Sequence, residues 1–144
     1  MPSLFLAVHR ANQKASAILE ERLIDVGLTL PQYLVIEAVS QVGSAIQITL
    51  VGLTGIDRST LADIVRRLEG AGWISRRRSE EDGRAMMVKL TDLAESRLPA
   101  VRAAVALAED DLLREMPGVE GISLPLAEIV ALDATRAAAR RAAE

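Results

Sequence analysis

Arginine is the side chain that this sequence places where it could do chemistry. Between Asp57 and Lys89 stand Arg58, Arg66, Arg67, Arg76, Arg77, Arg78 and Arg84, giving with Lys89 eight bases against six acids. That window is net +2 and the rest of the chain net −5, for a total of −3. A guanidinium offers a planar fork of donors that fits a phosphate, or the O6 and N7 edge of guanine, better than an ammonium does. A run of charges is by default a solvated face, so position gives these arginines their meaning. Asp57-Arg58-Ser59-Thr60 has the form of a helix start, with an Asp57 oxygen placed to accept from the amides of Ser59 or Thr60. Arg58, Ser59 and Thr60 then fill a first turn, where the helix dipole favours phosphate. One or two turns on, Arg66 and Arg67 point toward the flanking backbone of whatever that turn meets. A second set, His9, Arg10, Gln13 and Tyr33, could pair an anion and give it an aromatic wall with a hydroxyl.

Composition removes many alternatives. A chain of 144 residues, half of them hydrophobic, is one domain with enough apolar material for a core. A net charge of −3 excludes a histone-like binder held by overall basicity. There is no cysteine, hence no disulfide, thiolate metal site or thiol redox chemistry. With His9 as the single histidine, a metal site is not expected and no cofactor is assigned. A hydrolase using Ser59 would lack an adjacent base. One Phe, one Trp and one Tyr cannot build a base-stacking platform. No apolar run approaches the roughly 20 residues that span a bilayer. Leu4 to Val8, followed by His9 and Arg10, does not read as a signal peptide. No membrane partner is expected, and the cytoplasm is the expected location.

The elements that must hold the arginines follow from periodicity. Leu4, Val8, Ala11, Ala15, Ile18, Leu19, Leu23 and Val26 share one helical face over about residues 4–26, closed by Gly27. Pro31 suits the first turn of a second helix carrying Leu34, Val35, Ala38, Val39 and Val42, stopped by Gly43. A short helix from Gln47 to Leu53, a tight break at Thr54-Gly55-Ile56, and a helix with Leu61, Ile64, Val65 and Leu68 inward make a helix-turn-helix. The period then changes: Trp73–Arg76 and Ala85–Leu90 read as a β-hairpin, with 77–83 as connector. Trp73 is expected as a packing anchor. Thr91 caps a fifth helix whose Ala94, Leu98, Val101, Val105, Ala108, Leu112 and Met116 form a lengthwise seam. Pro99 is expected to kink that helix, and Pro117-Gly118 to end it. A last helix is expected from near Ser123 and Pro125 through Ile129, Leu132 and Ala137. The fold class is mostly α with a small β-hairpin wing (α+β). It is a winged helix-turn-helix over about residues 30–90, flanked by long dimerisation helices over about 4–26 and 92–142, in a single domain 1–144. The seam of the fifth helix looks too long for one chain to cover, which predicts a homodimer.

Three stretches carry a family resemblance: Leu50-Val51 with Gly55-Ile56-Asp57-Arg58-Ser59-Thr60-Leu61, then Val65-Arg66-Arg67-Leu68-Glu69 with Gly72, then Asp82-Gly83-Arg84 followed by Leu90-Thr91. Together they resemble the multiple-antibiotic-resistance regulator (MarR) family of winged-helix repressors, and the flanking helices stand in that family's order. The resemblance implies a homodimer joined through the first and last two helices, each subunit presenting a recognition helix and a wing. It implies that Arg84 enters a minor groove and that Asp82 steadies the wing. A narrow A·T-rich groove focuses the negative potential that attracts such a guanidinium. The family often has a Thr-Arg pair where Ala62-Asp63 stands. Asp63 would then accept from cytosine or pair with Arg67. Ile48 and Gly52 replace residues that are usually more polar in the short helix.

The expected function is a sequence-specific, double-stranded-DNA-binding transcriptional regulator. It would be a ligand-responsive repressor, acting as a homodimer on a pseudo-palindromic operator. Arg58, Ser59, Thr60, Arg66, Arg67, Arg76 and Arg84 are the expected DNA contacts. His9, Arg10, Gln13 and Tyr33 are the expected ligand contacts, for a small effector such as an aromatic carboxylate. A winged-helix module for protein–protein contact is the other reading, but it would not need arginines at both the recognition turn and the wing tip.

Overall fold

The structure, a computed structural model, describes residues 1–142, with side chains through residue 131. Helix α1 (Leu4–Leu23) starts on Ser3, whose hydroxyl accepts from the Leu6 amide at 3.2 Å. One 3-10 turn (Ile24–Val26) then ends on Gly27 in the left-handed region. Helix α2 (Leu30–Val42) begins with a reciprocal cap. The Thr29 hydroxyl accepts from the Gln32 amide, and the Gln32 side chain accepts from the Thr29 amide at 3.0 Å. Strand β1 (Ser44–Ile46), helix α3 (Gln47–Thr54) and helix α4 (Arg58–Gly70) follow. Strands β2 (Ile74–Arg78) and β3 (Met86–Leu90) lead into α5 (Asp92–Glu115) and α6 (Glu120–Ala142).

The wing is a three-stranded antiparallel sheet of order β1-β3-β2, not a bare hairpin. Ala45 opposes Val88, which opposes Arg76, so β3 is central and both its edges are hydrogen-bonded. β2 starts one residue later than expected and extends through Arg78. The core joins the helix-turn-helix to this sheet. Val35 and Val39 of α2, Leu50 of α3, Leu61, Val65 and Leu68 of α4, and Val88 of β3 are all completely buried. Trp73 is 5% exposed, and the Arg97 guanidinium lies over its ring at 5.4 Å.

Helix α5 runs back along α1. Ala94, Leu98, Val101 and Ala108 of the expected seam are buried within the single chain. Arg22 of α1 forks onto Asp111 of α5 with Nε at 2.8 Å, and Lys14 pairs with Glu115 at 3.4 Å. The expectation that this seam requires a second copy is therefore corrected: α1 of the same chain covers it. Apolar side chains without cover lie elsewhere. Leu4 and Phe5 of α1 and Leu124 and Val130 of α6 are 65–87% exposed. Pro99 lies inside α5 without interrupting it. Helix α6 starts at Glu120, earlier than expected, because the turn after α5 already presents the Gly118 and Val119 carbonyls to the amides of Gly121 and Ile122. Ile129 lies on α6, whereas the side chains of Leu132 and Ala137 fall outside the described residues. Among the described residues no single helix is long and apolar enough to cross a membrane.

Candidate nucleic-acid interface

The outward face of α4 is built by its inward one. Leu61, Ile64, Val65 and Leu68 bury one stripe, which leaves Arg58, Ser59, Thr60, Asp63, Arg66 and Arg67 exposed on the other. The break before the helix is held from both sides. Gly55 takes φ +70° and donates to the Val51 carbonyl at 2.9 Å. The Thr54 hydroxyl donates to the Leu50 carbonyl at 2.7 Å and accepts from the Ile56 amide. Asp57 caps α4 as expected, with Oδ1 accepting from the Thr60 amide at 2.9 Å and from the Ser59 hydroxyl at 2.8 Å. Hydrogen bonds from Thr60, then Ser59, hold the Asp57 carboxyl down to about 2. Arg58 is left projecting from the first turn, beside amides whose dipole favours an anion.

Asp63 pairs with Arg66 at 2.6 Å, not with Arg67. Both partners are within its reach on a helix surface, and the Arg66 fork takes it. Arg67 is exposed.

In the wing, Arg76 is already engaged. Its Nε and Nη2 fork onto Glu69 Oε2 at 2.9 and 2.6 Å, tying the last turn of α4 to the middle of β2. The pair draws the Glu69 carboxyl below its usual range and raises the Arg76 guanidinium. Arg77 and Arg78 are the exposed members of that triplet. Past them the chain turns on side-chain oxygens. The Ser79 hydroxyl accepts from the amides of Glu81 and Asp82, and Asp82 Oδ1 accepts from the Arg84 amide at 3.0 Å. Asp82 therefore holds the backbone of Arg84, and the guanidinium stays in solvent without an ion pair among the described residues.

A capped helix start presenting Arg58 and a sheet-backed turn presenting Arg84 thus belong to one rigid unit, and residues 28–86, which contain both, match the family model described as MarR family. Over these residues the chain is similar to the MarR family. It is 29% identical over 111 residues to the uncharacterized HTH-type transcriptional regulator YwoH of Bacillus subtilis, covering 75% of this chain and 80% of that one. A mutant MarR from Escherichia coli in complex with operator DNA shares the fold with a TM-score of 0.73 at 23% identity, over 88% of this chain and 92% of the other. So does BpsR of Bordetella bronchiseptica, whose DNA binding is regulated by 6-hydroxynicotinic acid, with a TM-score of 0.78 at 20% identity over 91% and 94%.

The four expected ligand residues do not converge. Arg10 and Gln13 border a shallow cavity of about 530 Å³ beside Lys14 and Met116. Tyr33 borders a different one, of about 340 Å³, between α1, α2 and α5. His9 is exposed and lines neither. The reason is helical phase. Steps of about 100° put Arg10 about 160° from Asn12 and about 120° from Ser16, two of the α1 residues that line the second cavity with Tyr33. Two structural contacts left no mark in the sequence pattern: the Glu69–Arg76 fork, and the hydroxyl of Thr91, which donates to the Gly72 carbonyl at 2.6 Å. Among the described residues no group of three His, Cys, Asp or Glu side chains could hold a metal.

Proposed function

We propose that the chain is a homodimeric repressor that binds a pseudo-palindromic duplex operator and leaves it when a small molecule binds. The first turn of α4 goes to the major groove, where Arg58 forks onto a guanine edge or a phosphate, and Ser59 and Thr60 add hydroxyl contacts. Arg66 and Arg67 hold the flanking phosphates, with Arg66 exchanging Asp63 for DNA. Arg84 reaches the adjacent minor groove. Arg77 and Arg78 supply phosphate contacts in place of Arg76, which keeps the wing in place. The observation that carries this reading is the pairing of exposed Arg58 and exposed Arg84 on one unit held by the Asp57 cap, the Glu69–Arg76 fork and the Asp82–Arg84 turn contact.

Dimerisation is supported by apolar side chains that the single chain leaves uncovered: Leu4 and Phe5 of α1 and Leu124 and Val130 of α6 are 65–87% exposed. A two-fold dimer sets half-sites about one helical turn, roughly 10 bp, apart. Control by a small molecule is supported by the cavity between α1, α2 and α5, since a ligand that prefers one arrangement of arm and winged unit shifts their spacing.

The test is a gel shift on the DNA upstream of the protein's own gene, at fixed salt. Arg58→Ala should change which sequences bind, by about 1–3 kcal/mol at the affected base pair. Arg84→Ala should weaken most sites and alter preference in A·T-rich flanks. Equal, uniform losses in both would mean that both arginines only hold phosphates, and no shift by the wild type would remove the operator reading.

A further inference from the structure

The cavity between α1, α2 and α5 has a charge character of its own. Its walls include Leu19 and Leu34, and its polar groups are Asn12, Ser16, Tyr33 and Glu109. Glu109 is the one ionisable carboxylate among them, and no Arg, Lys or His borders the space among the described residues. Cations on the same helices are turned elsewhere: Arg22 is forked onto Asp111, and Arg102 reaches Ser40. Burial, then the charges of Glu37 and Glu109, raises the Tyr33 phenol above its usual value.

Such a lining discriminates by sign. A carboxylate entering it would meet Glu109 with no counter-charge. An ammonium would meet a carboxylate, the neutral side-chain acceptors of Asn12 and Ser16, and the Tyr33 side chain. We propose that this cavity binds an organic cation, an apolar amine whose ammonium pairs with Glu109 and whose hydrocarbon body lies against Leu19 and Leu34. The volume of about 340 Å³ suits a small amine. Because α1 and α5 form the arm and α2 packs on α3 and α4, an occupant touches both halves whose spacing decides operator binding. The proposal rests on the reading of the chain as an effector-controlled regulator and names the class of the effector.

Three probes of one shape decide it: 2-phenylethylamine, 2-phenylethanol and 3-phenylpropanoate, titrated calorimetrically into the full chain, its Glu109→Gln variant and its Arg10→Ala variant. The amine should bind the wild type at least about tenfold more tightly than the carboxylate, and Glu109→Gln should remove about tenfold of that affinity, roughly the worth of one charge-assisted contact. Arg10→Ala should bind the amine as the wild type does. Glu109 is exposed, so an unchanged thermal midpoint of Glu109→Gln without ligand separates lost recognition from lost folding. No binding of the amine, a carboxylate that binds as well as the amine, or a Glu109→Gln variant that binds it unchanged would each overturn the assignment. Operator affinity is measured separately. Amine binding that leaves DNA affinity unaltered keeps the cavity assignment and removes effector control, whereas absence of operator binding in every protein removes the DNA reading alone.

Discussion

Thr91 joins three parts of the reading unit, and its hydroxyl can be weighed by substitution. The side chain caps α5 by accepting from the Ala94 amide at 3.1 Å and donates to the Gly72 carbonyl at 2.6 Å, while the Thr91 amide donates to the Trp73 carbonyl at 3.1 Å. It therefore fixes the end of β3 to the turn between α4 and β2. Thr91→Ala removes an N-cap, which costs about 1 kcal/mol, and strips the Gly72 carbonyl of its partner, which costs about 1 kcal/mol more. The sum, about 2 kcal/mol, should move the urea midpoint by roughly 1 M at an ordinary slope for a chain of this size. Trp73, the single tryptophan, lies next to the bond in question and serves as the fluorescent probe. Titrations should be run at one protein concentration, because association shifts apparent stability. Thr91→Ser keeps both hydrogen bonds and should stay within about 0.5 kcal/mol of the wild type. Thr91→Val keeps the shape, loses both bonds and should fall with Thr91→Ala. If Thr91→Ser fell as far as Thr91→Ala, or if Thr91→Ala matched the wild type, the hydroxyl would not be the joint.

Other outcomes follow from the same geometry. Because the Asp57 carboxyl is depressed from 3.8 to about 2, its contribution is complete above the ordinary value and is lost as pH falls from about 4 through about 2. Asp57→Asn should flatten that limb of an acid titration followed by circular dichroism, and an unchanged limb would refute the cap's role. Gly55→Ala meets no atom within 4 Å but must hold φ +70°, so it should cost about 1–2 kcal/mol of backbone strain in thermal unfolding; no loss would show that the turn relaxes. Glu69→Gln should weaken operator binding evenly across sequences by freeing the wing, and Glu69→Arg combined with Arg76→Glu should recover most of it. A double variant no better than either single change would mean that the fork does not position the wing.

What the sequence disclosed was whatever is decided within a few residues. The caps at Asp57 and Thr91, the stops at Gly27, Gly43 and Gly55, and the buried stripe of α4 each depend on local chemistry and were readable. The strand Ser44–Ile46 was not, since three residues are too few to show a period of two, and it exists only because β3 offers a free edge. The seam of α5 was read as buried, but periodicity does not say whose helix buries it, and α1 of the same chain does. Arg76 and Arg77 look alike as residues. Alternation along β2 turns Arg76 toward Glu69 and leaves Arg77 in solvent, which depends on how the sheet packs on α4. Arg10 and Tyr33 stood as partners only until helical phase separated them. The residues proposed to meet DNA lie mostly on one helix and one turn, so local sequence groups them, whereas the cavity draws on three helices.

Those joints also bear on where control can act. The α4–wing unit is held by the Asp57 cap at one end, the Glu69–Arg76 fork at the other, and Thr91 beneath. A ligand would have to break several of these bonds at once to alter the unit itself. Between the arm and that unit, by contrast, lies a cavity of about 340 Å³, and several of the most exposed apolar residues, Leu4, Phe5, Leu124 and Val130, are on α1 and α6. A packed protein resists deformation where it is dense and yields where contacts are few. In the proposed dimer, two stiff reading units on a common arm would differ between bound and free arrangements mainly in their separation, and duplex DNA accepts only separations that match its repeat. A coupling of about 1–3 kcal/mol at the cavity is enough to shift operator affinity by about one to two orders of magnitude. It can do so without disturbing Arg58 or Arg84, so an effector should change how tightly the operator is held while leaving the sequence read by each half unchanged.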